Sequence, residues 1–284
     1  MSDWPTGKPH ISFSEVKLHS ECSYRYKLTY IDNLDAYEEN PYADFGTSIH
    51  NAIENYLKNY SIDLDSCLKE ITNIWEDKGW DTQEFIDKIT MERTSQGFKY
   101  THENLETWLN QAKVILENFP SFMNNTFPGW TLIDAEHMLY EPIDDESISF
   151  KGSIDCVIKV PGKGNKDIYW VIDWKTTGPA GWFYKKKREF NTLSQIGMYK
   201  SYWAKKNDIN IKDIRTAFVF LKRGGKPEKC IETFKVSTGP KFLEKSDKLI
   251  KNMIYNVKKG RYMKNYYGCK FCPFKQTEHC NGGW

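Results

Sequence analysis

The sequence predicts an α/β fold with a mixed central sheet flanked by helices, and three observations carry that expectation. Apolar residues recur at helical spacing early in the chain, and the pattern switches to strand-like runs from Thr131 onward. Turn residues then separate further strand and helix patterns. The resulting order of helices, strands, helix, strands, helix is that of a mixed sheet with helices on its faces.

Each element has its own local signal. The opening segment, Ile11 to Tyr30, ends in the aromatic and basic run Tyr24-Arg25-Tyr26-Lys27, and the acidic stretch Asp32 to Asp44 reads as a loop. Ile49, Ala52, Ile53, Tyr56 and Leu57 give helical spacing over Thr47 to Tyr60, with Thr47 as a candidate N-cap. Two more helices are expected at about Leu64 to Trp80 and Glu103 to Phe119, the second stopped by Pro120. Their charged, mixed character suggests a helical insertion over 61–125 beside the sheet. Thr131 to Tyr140, Ile148 to Val160 and Ile168 to Trp174 read as strands, the last two joined by the turn Pro161-Gly162-Lys163-Gly164-Asn165. Leu193 to Lys206 reads as a helix. Thr216 to Leu221 and Cys230 to Val236 read as strands around Arg223-Gly224-Gly225, and Pro240 to Lys258 as a closing helix before a cysteine-bearing tail. The whole, 1–284, is expected to form one domain.

Composition bounds the function less than the pattern does. The 284 residues are 39% hydrophobic and 15% aromatic, enough for a substantial core and for surfaces that stack bases. A net charge of +2 decides nothing about nucleic acid, since such a protein must hold polyanion and keep carboxylates. No apolar run reaches the roughly 18 residues of a membrane span, and Met1 to His10 has no signal-peptide core. A soluble protein of the cytoplasm is expected, of the host cytoplasm if the chain is virus-encoded. An odd set of seven cysteines argues against a disulfide framework.

The chemistry concentrates in two adjacent strands. In Val171-Ile172-Asp173-Trp174-Lys175 an apolar strand ends in an acid, a spacer and a lysine, so Asp173 and Lys175 share one face. The preceding strand carries Gly152-Ser153-Ile154-Asp155, and hairpin pairing would bring Asp155 to Asp173. Two carboxylates so placed can share a hard divalent cation, and the ammonium can stabilise charge on a phosphate. Upstream, Gly46-Thr47-Ser48-Ile49-His50 opens a helix on which His50 faces the side of Glu54. Downstream, Gln195 and Tyr199 stand four apart on a predicted helix.

The order Gly46-x3-His50, Gly152-x2-Asp155, Asp173-x-Lys175, Gln195-x3-Tyr199 resembles the RecB-like branch of the PD-(D/E)XK nuclease superfamily, over about residues 12 to 280. Glu136 also stands where that branch often carries a Glu, while Asp173 replaces the Glu of many relatives. The resemblance implies a restriction-endonuclease-like core and a metal-dependent deoxyribonuclease. It implies His50, Asp155, Asp173 and the backbone carbonyl of Trp174 as ligands of Mg2+ or Mn2+. Lys175 would position or activate the attacking water and stabilise charge, and Gln195 and Tyr199 would contact DNA or support the Lys175 loop. An exonuclease or end-trimming activity on single-stranded or frayed DNA is the leading expectation, serving recombination, repair or spacer processing. A non-catalytic DNA-binding or scaffold subunit of a helicase–nuclease or other complex is the alternative. No Walker-type loop occurs, so any helicase or recombination motor would be a partner.

Cys269-x2-Cys272-x7-Cys280 is a tight ligand group, and with a fourth ligand it suggests zinc or an iron–sulfur cluster, with His279 as a zinc alternative. The distribution of one early and three terminal cysteines is similar to the iron–sulfur subset of RecB-like nucleases, which includes AddB and the CRISPR-associated spacer-trimming enzymes. That resemblance implies a 4Fe-4S cluster on Cys22, Cys269, Cys272 and Cys280, pinning the tail, 262–284, to the N-terminal segment. The gap before Cys280 keeps zinc open. Cys67, Cys156 and Cys230 fall in helix or strand patterns and read as core. Finally, Trp182-Phe183-Tyr184-Lys185-Lys186-Lys187-Arg188 mixes rings and cations as a single-strand path would, with Trp182, Tyr184, Lys185, Lys186, Lys187 and Arg188 as candidate DNA contacts.

Overall fold

The computed structural model describes residues 4–34, 39–95, 104–224 and 226–281. Parts of the expected 32–44 loop, the 61–125 insertion, the Arg223-Gly224-Gly225 turn and the C-terminal tail lie outside them. The described elements run β1 (His10–Ser12), α1 (Phe13–Glu21), α2 (Ser23–Tyr26), α3 (Pro41–Asn59), α4 (Leu64–Lys78), α5 (Gln83–Ser95) and α6 (Leu105–Thr126). There follow β2 (Thr131–Pro142), β3 (Ser149–Pro161), β4 (Asp167–Thr177), α7 (Phe190–Asn207), β5 (Ile214–Lys222), β6 (Ile231–Val236) and α8 (Pro240–Lys258). This is the expected mixed α/β architecture.

The sheet has six strands in the order β1-β3-β4-β5-β6, with β2 paired to β3. β2 and β4 run antiparallel to β3, β4 and β5 are parallel, and β1 is parallel to β3. One consequence of this pairing matters for everything below. β2 covers one edge of β3 along its length, but the other edge is shared. β1 takes Ser149 to Lys151 and β4 takes Cys156 to Pro161, which leaves Gly152 to Asp155 in a fork between them.

Two apolar cores fill the faces. α3, α4 and α6 cover one, with Ile49, Ile53, Trp108, Phe119 and Met123 against Cys156, Ile172, Trp174 and Val219. α1, α7 and α8 cover the other, with Val16, Ile196, Trp203, Ile250 and Ile254 against Ile154, Val171, Phe218 and Phe220. Cys67, Cys156 and Cys230 are buried, as expected of core thiols.

Three expectations are corrected. α3 starts at Pro41, because Asn40 rather than Thr47 caps it: Ala43 N donates to Asn40 Oδ1 at 3.0 Å, while Thr47 Oγ1 donates back to Ala43 O within the helix. The acidic stretch is therefore helical from Pro41. α6 passes through Pro120, whose interior position costs about 3 kcal/mol; Leu116, Phe119 and Met123 are wholly buried around it and hold the turn in place. α6 also walls the core, since Phe119 meets Trp174 edge-on at 5.4 Å. α5 has no clear apolar stripe, and its helix was not anticipated.

Candidate active site

The fork is where the chemistry collects. The β3–β4 ladder ends at Cys156↔Ile172, and past that point the strands part. The N–H of Trp174 then donates to Asp155 Oδ2 at 2.7 Å, so a carboxylate takes the place of the missing ladder partner. Trp174 itself turns its ring into the core, and the strand alternation puts Asp173 and Lys175 on the opposite face. Asp173 is 1% exposed, and Lys175 Nζ lies 2.6 Å from its Oδ2.

Glu136 reaches the same place from β2. The register pairs Ala135 with Cys156 and His137 with Ile154, which sets Glu136 opposite Asp155. The pleat reverses there: Cys156 packs in the α3–α6 core and Ile154 in the other, although residues two apart in a strand ordinarily share a face. Glu136 has φ +52°, a left-handed conformation that costs a non-glycine residue about 1 kcal/mol. Ser153 Oγ donates to Glu136 Oε2 at 2.8 Å and fixes that side chain.

His50 comes from α3, with Nδ1 3.8 Å from Asp155 Oδ2. Glu54, one turn on from His50, is paired with Lys58. Gly46, one turn before His50, explains how α3 comes so close: a Cβ there would stand 2.9 Å from Thr176 Oγ1 on β4. One ligand atom each from His50, Glu136 and Asp155 lie within 4.8 Å of one another. An imidazole nitrogen and two carboxylate oxygens at that spacing suit a hard divalent cation. Sequence reasoning grouped His50 and Asp155 with Asp173; here Glu136 completes the group and Asp173 is engaged by Lys175. Ser153, two residues before Asp155, was overlooked.

The electrostatics are those of buried acids gathered around one lysine. Burial first, then Asp173 and Glu136, push the Asp155 carboxyl well above its usual range despite Lys175. Burial also raises Asp173, against the pull of Lys175. Burial would lower the Lys175 ammonium, but Asp173 and Asp155 outweigh it and hold it above its ordinary value. His50 is pushed down to about 4 by burial and by Lys175, so it is neutral and able to ligate at neutral pH.

Gln195 and Tyr199 meet at the fork from α7, with Gln195 Nε2 donating to Tyr199 OH at 3.2 Å. Gly152 makes room for that ring, since a Cβ there would lie 2.8 Å from Tyr199 Cε1. The glycines before His50 and before Asp155 are thus places of close approach. Burial and the charge of Asp173 raise the Tyr199 phenol.

Residues 10–277 match the family model of the PD-(D/E)XK nuclease superfamily. The chain belongs to that superfamily. A search of curated proteins returns no match. By shape, this PD-(D/E)XK protein is similar to a solved structure from Eubacterium rectale described as a "Putative exonuclease". The TM-score is 0.56 over 94% of this chain and 88% of that one, at 13% identity, a likeness that shows the fold. It is also similar at 11% identity to SSO0001, over 92% and 93% of the two chains, but a TM-score of 0.33 carries no argument.

Two further groups of predicted site residues are placed by the PD-(D/E)XK fold. The basic run after β4 divides. Trp182 is buried against Phe218 and Phe220, so its ring belongs to the core and is no stacking platform. Lys187 pairs with Glu232 at 2.9 Å. Phe183 and Tyr184 are exposed, Lys185 is exposed, and Arg188 lies over the Tyr184 ring at 5.0 Å. Lys186 is exposed; partial desolvation first, then Lys17 and Lys175, lower its ammonium, which places it in the field of the fork. The four expected cysteines line one cavity between the chain ends. Met263 N donates to Ser23 Oγ at 2.7 Å, Tyr24 N to Met263 O at 3.1 Å, and Asn265 Nδ2 to Glu21 O at 2.7 Å. Cys22 Sγ accepts from Arg25 N at 3.5 Å and Asn265 N at 3.4 Å. Burial, then Cys272, Cys22 and Cys280, raise the Cys269 thiol. His279 does not line this cavity; its imidazole stands beside Glu278. Among the described residues, no helix is long and apolar enough to cross a membrane.

Proposed function

We propose that this PD-(D/E)XK protein is a Mg2+- or Mn2+-dependent DNA nuclease that acts as an exonuclease or end-trimming enzyme on single-stranded or frayed DNA. The observation that carries the reading is the strained Glu136 set opposite Asp155. Like charges face to face across a ladder are unfavourable, and a left-handed glutamate adds to the cost. His50, Glu136 and Asp155 would hold a cation that offsets the repulsion, and the Trp174 carbonyl lies on the same strand edge as the N–H that Asp155 accepts. A bound divalent cation supplies Lewis-acid polarisation of a phosphodiester and a more acidic water.

The protein's own groups do the rest. Lys175, charged at neutral pH and braced by Asp173, orients the attacking water and meets the negative charge that builds on the phosphate. Tyr199 and Gln195 form the wall on which the strand rests. Tyr184, Lys185, Lys186 and Arg188 continue it as a path for a single strand, with exposed rings for bases and cations for phosphates. The exonuclease mode draws on the name of the Eubacterium rectale relative by shape. Repair, recombination and spacer processing, with or without a helicase partner, are the settings such an activity suits.

The cysteine cavity supports a 4Fe-4S cluster on Cys22, Cys269, Cys272 and Cys280. Four thiols line one cavity, and one accepts two backbone N–H bonds as a thiolate ligand would. Its role is to hold the tail to the N-terminal segment. Iron and acid-labile sulfide measured on protein purified without oxygen check this, with stoichiometric zinc as the contrary result. End-labelled single- and double-stranded DNA, incubated with Mg2+, Mn2+ or EDTA beside Asp173→Ala, tests the nuclease. Metal-dependent cleavage absent from the variant is expected. DNA binding with no cleavage by either protein would establish the scaffold reading instead.

A further inference from the structure

The molecule holds a second cavity, separate from the fork. The starts of β4 and β5, the end of β6 and the first turn of α8 enclose about 610 Å3, within the roughly 300–1,000 Å3 of small-molecule pockets. Its lining carries four cations, Lys200, Lys212, Arg215 and Lys235, and no carboxylate. Trp170 is five residues before Lys175 on β4, so the cavity lies about 16 Å along the strand from the fork.

Lys200 is the informative residue. It is 6% exposed on α7, and its Nζ has one neutral partner, the carbonyl of Thr238 at 3.3 Å. A buried ammonium without a counter-charge is costly and gains from an anion. Burial, then Arg215, accordingly lower its pKa. Arg215 donates Nη1 to the Lys212 carbonyl at 2.6 Å, which leaves most of its guanidinium donors for something else. Gly239 starts the 19-residue helix α8 at the same cavity with no side-chain cap, so the positive end of that helix adds to the field. The rest of the lining, Trp170 and Leu243 among it, is largely apolar.

We propose that this cavity is an anion site separate from the fork, and that it takes a phosphomonoester on an aromatic body, of the size of a nucleoside monophosphate. The choice of a nucleoside as the body rests on the nuclease reading, because such a nuclease releases nucleotides; the phosphate does not rest on it. Lys200 follows Tyr199 directly, so one helix carries residues to both sites.

Titration of the full chain with deoxyadenosine 5′-monophosphate in EDTA, followed by calorimetry, tests the site independently of any nuclease activity. Saturable binding is expected, competed by inorganic phosphate and absent with deoxyadenosine. Lys200→Met and Arg215→Ala are each expected to weaken it by about tenfold or more, and Asp155→Asn to leave it within about twofold. Thermal unfolding of Lys200→Met is expected at or above the native midpoint, because the variant removes a buried lone charge. No saturable binding, or binding undiminished in both cavity variants, would overturn the proposal. Binding lost in Asp155→Asn but kept in Lys200→Met would overturn it too, by placing the nucleotide in the fork.

Discussion

The fork and the cysteine cavity are built in opposite ways. The fork is framed by strand ladders on both sides and backed by two large cores, so its carboxylates are held by the fold itself. Among the described residues, the cysteine cavity is backed by the small cluster of Leu28, Phe274 and Cys280 with a few partly buried neighbours, and is tied together by bonds between the chain ends. A site of the first kind stores charge repulsion that the core withstands. A site of the second kind has little apolar burial of its own and draws its order from what its thiols hold.

Substitutions sharpen this contrast. The largest effect is expected from Lys175→Ala, which removes the charge facing the phosphate. DNA cleavage should fall by about 10^3-fold, with some drop in the unfolding midpoint because the buried Asp173 loses its counter-charge, as rate and melting measurements on one preparation will show. Cys269→Ser should act mainly on stability. The midpoint should fall by about 5 °C, equivalent to roughly 2 kcal/mol for a chain of this size, with faster proteolysis of the tail and a smaller loss of cleavage. Ser153→Ala leaves every proposed ligand in place but releases Glu136, so Mn2+ affinity should drop by about tenfold.

The smallest effect belongs to neither site. Burial pushes His19 on α1 down to about 4, so the fold favours its neutral form. Above pH 6.5 both folded and unfolded chains carry it neutral. Between pH 6.5 and about 4 the unfolded chain takes up a proton that the fold refuses, so stability falls as pH falls through that window. His19→Gln should flatten the melting profile there.

Much of the fork was legible in the sequence because strand periodicity is strict. Asp173 and Lys175 had to share a face, and the short turn after β3 had to bring Asp155 beside that strand, where its side chain rather than a ladder bond meets Trp174. Glu136 was legible only as a position, since nothing local to Thr131–Pro142 announces a left-handed residue or a reversed pleat. Trp182 misled for a related reason: a basic run looks solvated, and only the packing on Phe218 and Phe220 shows its ring turned inward. Lys200 ends a run of five consecutive buried residues, Ile196 to Lys200, and its isolation from carboxylates is a property of tertiary structure alone. The α3 start was missed because Asn40-Pro41 is a stronger helix start than Thr47, hidden inside an acidic stretch.

The account rests on His50, Glu136 and Asp155 acting together on one cation, and Mn2+ binding followed by electron paramagnetic resonance tests that most directly. Saturable binding by the native chain is expected, weakened by about tenfold or more in Glu136→Gln. Native-like Mn2+ binding by Glu136→Gln would contradict it and return the metal to Asp155 and Asp173.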